Sequence, residues 1–167
     1  MKKDVLIYFD LITSLKTTQE VANFISEIDA LKLMFFKSEA MSMEKALASI
    51  SRNYAQKISQ VFSKCSLDAN DRNNISVFLD TLKELVKKLK TIKLVLAFDP
   101  SNKTLEKIHN FVKETIGIGY VLDIETSEEI LGGAIVIFDG KYNDFTLKKD
   151  LGDTFIAKKD QIISIVG

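Results

Sequence analysis

Hydrophobic residues recur at helical spacing over the first 90 residues, and this part of the chain contains neither glycine nor proline. All seven glycines and the one proline, Pro100, come later. Glycine and proline are the strongest local interrupters of regular structure, so their distribution predicts a change of architecture near residue 91. We therefore expect a helical bundle domain over residues 1–90 and an α/β domain with a C-terminal tail over residues 91–167.

The apolar stripes of the first part predict four helices, over residues 4–15, 18–36, 42–64 and 68–90. Thr17 and Glu20 have the spacing of a capping box, which marks the start of the second helix. Ser42 is the expected cap of the third helix, and the fourth begins at Asp68 or Asn70. Lysines in the last turn of the fourth helix complement the helix dipole.

The hydrophobic period changes after residue 91. A continuous apolar run over residues 93–98 is stopped by Asp99 and Pro100, which predicts a strand buried on both faces. Further strands are predicted over residues 119–124, 134–138 and 141–145, and Asp139-Gly140 is a strong hairpin turn between the last two. The fold class is therefore α+β, an N-terminal helical bundle followed by a small β-α-β-β-β domain.

A helix capped by Ser101 is expected between the first two strands, with Gly117 ending it. Its inner face is predicted to consist of apolar residues at helical spacing, namely Leu105, Ile108, Phe111 or Val112, and Ile116. The tail is ambiguous, because Leu147, Leu151 and Phe155 suit a helix whereas residues 162–166 look like an added strand.

Composition excludes several classes of function. Lys plus Arg and Asp plus Glu both number 23, so a zero net charge argues against a nucleic-acid partner. Cys65 is the only cysteine, which excludes an internal disulfide and a thiolate-rich metal site. Asp10 interrupts the apolar run at the N-terminus, which argues against a secretory signal peptide. No apolar run approaches the roughly 20 residues that a membrane span needs. These features predict a soluble intracellular protein.

The sequence offers little catalytic chemistry. His109 is the only histidine, so a two-histidine metal site cannot be built. The acidic stretch from Asp68 to Asp71 lacks the further ligands and the glycine of a calcium loop. No phosphate-binding glycine motif and no nucleophile elbow occur. We therefore predict no catalytic, cofactor-binding or metal-binding residues and no small-molecule substrate.

Residues 79–151 combine, in order, the strand ending at Asp99-Pro100, a helix, a second strand, the Gly132-Gly133 pair and the Asp144-x-Thr146 segment. This order resembles the C-terminal half of the delta subunit of rotary ATP synthases, called OSCP in mitochondria. The most specific match is the hairpin region, which has a Gly-Gly pair before an Ile- and Val-rich strand, a turn, and an Asp-x-Thr segment. The residues that carry this match are Leu131, Gly132, Gly133, Asp139, Gly140, Asp144 and Thr146. The family's helical part is usually longer, and its usual arginine after Asp-x-Ser is lysine or leucine here.

The resemblance implies a non-catalytic peripheral-stalk subunit of the proton-translocating ATP synthase, without cofactors. Such a subunit is cytoplasmic, peripheral on the inner face of the energy-transducing membrane. Its helical half would hold the N-terminal helices of the alpha subunits, and its α/β half would hold the end of the b subunit. The expected residues for gripping a partner helix are Val21, Phe24, Ile28 and Phe35, although the same stripe is also typical of an ordinary bundle core.

Two other interpretations stay open. One is an unrelated intracellular protein-binding adaptor or regulatory module, which would use the same helices and would not associate with synthase subunits. The other is a small-molecule enzyme, which would need a convergent polar pocket near Asp99, Asp123 and Asp139.

Overall fold

The computed structural model of the protein describes residues 2–38, 41–69 and 71–157, and these residues form an α+β fold. Five helices come first, and a β-α-β-β-β run and a last helix follow. The helices are α1 (Lys2–Ser14), α2 (Thr18–Lys37), α3 (Met43–Leu47), α4 (Arg52–Lys64), α5 (Arg72–Lys87), α6 (Asn102–Thr115) and α7 (Leu147–Ala157). The strands are β1 (Lys90–Leu96), β2 (Tyr120–Thr126), β3 (Gly133–Phe138) and β4 (Lys141–Thr146).

Local capping signals position several helix starts. The Thr17 hydroxyl accepts a hydrogen bond from the Glu20 amide at 3.1 Å, as the capping-box spacing predicts. The Glu20 carboxylate reaches back and accepts a hydrogen bond from the Lys16 amide at 2.7 Å. Ser42 and Ser101 also accept hydrogen bonds from amides at the starts of α3 and α6. These predicted caps are confirmed.

The single helix predicted over residues 42–64 is wrong, because the structure divides it into α3 and α4. The Ser51 amide at the break donates a hydrogen bond to the Glu27 carboxylate of α2 at 3.2 Å. A side chain from another helix thus satisfies a main-chain group that a continuous helix would use internally. The predicted start of the fourth helix also moves, since Asp71 caps α5 by accepting from the Asn73 and Asn74 amides.

The four strands form one mixed sheet in the order β2-β1-β3-β4. β1 and β2 are parallel and are joined through α6, whereas β3 is antiparallel to both β1 and β4. Asp139 and Gly140 link β3 to β4 with φ angles of 51° and 72°. Two successive positive φ angles are typical of the type I′ turn that the Asp-Gly pair predicts.

One face of the sheet packs against α6. Ile92, Leu94 and Leu96 of β1 are buried and form a cluster with Val112 of α6 and Leu122 of β2. The intervening Lys93 and Val95 are partly exposed. The prediction that β1 is buried on both faces is therefore wrong. The reason is that α6 covers the face that carries Ile92, Leu94 and Leu96. A strand that is covered on one face alternates buried and exposed positions.

The inner face of α6 differs in part from the prediction. Val112 is buried, but Phe111 is 66% exposed and Ile116 is 42% exposed. His109 takes an inner position instead and is 2% exposed. Because residues three apart share a helix face, burial of His109 and Val112 turns Phe111 toward solvent.

The helices before β1 have a separate core. Its buried side chains come from α1 through α5, and they include Leu11, Phe24, Ile28, Leu79 and Leu82. No residue of β1 to β4 belongs to this cluster, within the ranges that the structure describes. The change from helices to sheet falls between Lys87 and Lys90. This position is close to residue 91, where the absence of glycine and proline from the first 90 residues predicts the boundary.

The segment between α1 and α2, residues 15–17, joins the helices to the sheet, and we call it the linker. Lys16 accepts a main-chain hydrogen bond from the Leu122 amide, and Thr17 forms a parallel β-bridge with Leu122. The linker therefore lies along the edge of β2.

The ambiguous tail begins as a helix, since α7 starts directly after β4. The strand considered over residues 162–166 lies outside the described residues.

Candidate interaction surfaces

The four residues predicted to grip a partner helix occupy different environments. Phe24 and Ile28 are completely buried in the core of the helices, and Val21 is partly buried against it. Phe35 is 9% exposed and lines a cleft between α2 and α5. In this conformation the stripe is mainly bundle core, and its C-terminal end reaches a surface.

The cleft between α2 and α5 has a volume of about 480 Å³. Leu33 and Phe36, three residues apart on α2, border it with 51% and 89% of their side chains exposed. Ile75 and Leu79 of α5 form its floor with Phe35. A phenylalanine exposed to this extent next to other apolar groups is a common feature of protein-binding surfaces.

Ion pairs hold the two walls of the cleft together. Lys32 of α2 pairs with Asp80 of α5, and Lys83 of α5 pairs with Asp29 of α2, both at 2.5 Å. Arg72, at the start of α5, donates hydrogen bonds to the carbonyl oxygens of Phe35 and Ser38 at the end of α2. The guanidinium thereby joins the start of α5 to the end of α2. These contacts connect the two helices that border the cleft.

A second apolar cleft of about 430 Å³ lies between α1 and α5. Ile7 and Tyr8 of α1 face Val77 and Phe78 of α5, and Leu67 lies nearby. Val77 is 58% exposed, whereas Phe78 is 2% exposed. This cleft offers less exposed aromatic surface than the one between α2 and α5.

Most of the residues that carry the family resemblance lie at one corner of the sheet, whereas Asp139 and Gly140 form the turn at the opposite end of the β3-β4 hairpin. Gly133 opens β3 with a φ of 87°, and a Cβ at this position would overlap the carbonyl oxygen of Phe145 on β4. The Leu147 amide donates a hydrogen bond to the Gly132 carbonyl at 2.9 Å. Close approach of two main chains thus explains why glycine is needed at Gly133.

Asp144 and Thr146 complete this corner. The Asp144 carboxylate accepts a hydrogen bond from the Thr146 amide at 2.9 Å. The Thr146 hydroxyl accepts one from the Lys149 amide at 3.4 Å and so caps α7. The amide of Thr146, and to a smaller extent its hydroxyl, donates a hydrogen bond that lowers the pKa of Asp144. Asp-x-Thr therefore ends β4 and starts α7.

Exposed apolar side chains lie along β4 and around this corner, and Tyr142 and Phe145, three residues apart on β4, lie on opposite faces of the sheet. β4 is the edge strand of the described sheet. Its Tyr142 and Phe145 are each 61% exposed, and Leu131 before β3 is 80% exposed. Leu147 and Leu151 of α7 are each 51% exposed. We call these five residues the hairpin patch.

Sequence reasoning missed Leu33 and Phe36, the exposed residues of α2 that border the first cleft. Leu33 and Phe36 lie off the stripe that gave Phe24, Ile28 and Phe35, so α2 is apolar on more than one side. The apolar residues outside the main stripe were the available signal for an exposed apolar surface, since a helix with one buried face needs only a single apolar stripe. Arg72 gave no comparable signal, because its acceptors are carbonyl groups of another helix.

The polar residues considered for chemistry do not converge. Asp99 follows β1 at the end that pairs with the start of β3, whereas Asp139 follows the other end of β3. The two carboxylates therefore lie toward opposite ends of the sheet. Asp123 accepts a hydrogen bond from the Thr18 hydroxyl at 3.2 Å, and His109 Nε2 is 3.2 Å from the Tyr120 carbonyl oxygen. In residues 2–38, 41–69 and 71–157 no cluster of His, Cys, Asp or Glu could hold a metal ion.

None of the helices described here has the length and apolar character needed to cross a bilayer. No protein-family model matches the chain, and no curated protein matches its sequence significantly.

Proposed function

We propose that the protein is a non-catalytic stator component, a peripheral-stalk subunit of a rotary proton-translocating ATP synthase. It links the catalytic head to the membrane-anchored b subunit. The proposal rests on the resemblance of residues 79–151 to the delta subunit family. Its main structural support is the corner where Gly133, Asp144 and Thr146 meet, because residues that carry the resemblance contact one another or one connected stretch of main chain there.

The two apolar surfaces suit the mechanical task. A stator opposes the torque of the rotor, so it needs two separate grips and a stiff connection rather than a reactive side chain. The cleft between α2 and α5 is the proposed site for an amphipathic helix of an alpha subunit. Such helices bind by inserting apolar residues into a groove. Leu33 and Phe36 supply the exposed contacts, and Phe35 lies behind them.

The hairpin patch is the proposed site for the b subunit. The hairpin patch provides apolar area on both faces of β4, at the sheet edge opposite the one that pairs with the linker. The cleft between α2 and α5 also contains Asp29, Lys32 and Arg72, and these side chains are paired with groups of the same chain. The interfaces would then depend mainly on burial of aromatic and aliphatic groups.

Affinity purification of the tagged full-length protein from gently solubilised membranes of its source cells tests this function. Recovery of the alpha, beta and b subunits in fixed ratio, identified by mass spectrometry, is the expected result. Recovery of a different protein in fixed ratio, without synthase subunits, would favour the unrelated adaptor. The folded state of the bait is checked by circular dichroism, so that misfolding is not mistaken for loss of partners.

A further inference from the structure

His109 is a buried titratable group that lies close to the connection between the helices and the sheet. It is 2% exposed on the inner side of α6, and its Nε2 is 3.2 Å from the carbonyl oxygen of Tyr120 on β2. The geometry requires the Nε2–H tautomer as donor, because a carbonyl oxygen can only accept. Nδ1 is therefore the nitrogen that would gain a proton.

The linker crosses the same region. Lys16 Nζ pairs with Glu106 at 3.6 Å, and Glu106 is three residues before His109 on α6. The Lys16 carbonyl accepts from the Leu122 amide on β2 at 2.8 Å, and its amide donates to Glu20. Lys16 thus connects α6, β2 and α2 beside the buried ring.

The charged groups around His109 come from each of these elements. Glu106 and Lys113 lie on α6, Lys16 is in the linker and Glu20 is on α2, while β2 presents the Tyr120 carbonyl. Burial is the largest cause of the lowered pKa of His109, and the charges of Lys113 and Lys16 lower it further. The Tyr120 hydrogen bond and Glu20 act in the opposite direction. A further positive charge, on the protonated imidazole, is therefore unfavourable in this site.

The pairing of the linker with β2 is short, and it involves Lys16 and Thr17, whereas Leu15 is buried in the core of the helices. β2 is held by seven paired positions along β1, and α6 is anchored by Val112 in the sheet core. Between the linker and β2, the described residues show one main-chain hydrogen bond and one β-bridge. Separation of the linker would bring water to the ring and move Lys16 away from it, so it would relieve both unfavourable effects.

We propose that His109 is a proton-operated latch, which holds the linker on β2 while its ring is neutral and releases the linker when Nδ1 is protonated. The sign follows from linkage. The pKa of His109 is lower in the closed state than its ordinary value of 6.5, so the latch is fully closed above pH 6.5. As the pH falls below 6.5, the equilibrium constant for opening of the latch rises by up to about tenfold for each pH unit. This rise ends at the pH at which His109 is also protonated in the closed state.

Hydrogen exchange of the full-length protein, followed by NMR between pH 5 and 7.5, tests the latch; these pH limits span the ordinary histidine pKa of about 6.5. The protection factor of the Leu122 amide is expected to fall with pH below 6.5, while those of Leu79 in α5 and Val136 in β3 stay constant. His109 is the only histidine, so its imidazole signal reports its own titration without ambiguity. The proposal is overturned if Leu122 protection does not change, or if all three amides lose protection together.

Two variants extend the test. His109→Gln keeps a neutral polar side chain of similar length, and in this variant the protection of Leu122 is expected to be independent of pH. If that variant does not fold, Lys16→Met provides a second measurement, because removal of the lysine charge is expected to raise the pKa of His109. An unchanged histidine titration in Lys16→Met would contradict the role of Lys16.

Discussion

The amide of Leu122 on β2 donates a hydrogen bond to the carbonyl oxygen of Lys16 at 2.8 Å, so the sheet is paired directly with the segment between α1 and α2. The Thr18 hydroxyl adds a hydrogen bond to the Asp123 carboxylate next to it. Main-chain pairing has fixed geometry and does not depend on long flexible side chains. In the proposed stator this contact would connect the two halves while the latch at His109 is closed.

Gly133→Ala is expected to destabilise the protein by about 2 kcal/mol or more, because alanine is strained at a positive φ and its Cβ would overlap β4. Gly140→Ala is the matched control. Gly140 also has a positive φ, but a Cβ there would meet no atom within 4 Å. The control should therefore lose only about 1 kcal/mol from backbone strain. Urea unfolding measures both, and equal losses would contradict the close approach of β3 and β4.

Local features of the fold could be predicted from the sequence. The Thr17 cap and the Asp139-Gly140 turn depend on neighbouring residues, so their signals are complete within a few positions. The break between α3 and α4 could not be predicted, because Ser51 is paired with Glu27 of another helix and no glycine or proline marks the site. The pairing of Lys16 with Leu122 was missed for the same reason, since it joins residues distant in sequence.

The candidate surfaces show the same limit. Periodicity identified the stripe containing Phe24 and Phe35, but it could not separate a core position from a groove position. The structure separates them, since Phe24 is completely buried whereas Phe36, on the same helix, is 89% exposed. The apolar excess of α2 is readable in the sequence, but the cleft itself requires α5 beside it.

Phe24→Ala and Phe36→Ala are expected to differ strongly in their effect on stability. Phe24→Ala should lower the free energy of unfolding by about 3–5 kcal/mol, because it leaves a cavity in the helical core. Phe36→Ala should change it by less than about 0.5 kcal/mol, since the ring is exposed. Chemical denaturation followed by circular dichroism compares the two. A large loss of stability in Phe36→Ala would mean that this ring is part of the core.

Asp144 is expected to titrate below its ordinary pKa of 3.8, because Thr146 donates hydrogen bonds to the ionised carboxylate. A lowered folded-state pKa stabilises the fold above pH 3.8, and this contribution is lost as the pH falls through the folded-state value. Thr146→Val removes the hydroxyl but keeps the amide, so the pKa of Asp144 should rise toward 3.8. NMR titration of the carboxyl carbon measures this change. Identical titration curves would show that the hydroxyl does not contribute.

The most direct test of the stator proposal is the affinity of the full-length protein for two separately purified partners, the catalytic head and the soluble part of the b subunit. Phe36→Ser should weaken binding to the head by about ten- to a hundredfold, the effect of losing one buried phenylalanine, and should leave b binding unchanged. Phe145→Ser should do the reverse, and Val77→Ser, at the cleft between α1 and α5, should change neither affinity. Absence of binding to either partner by the folded wild-type protein would contradict the account, as would equal weakening of both affinities by each variant.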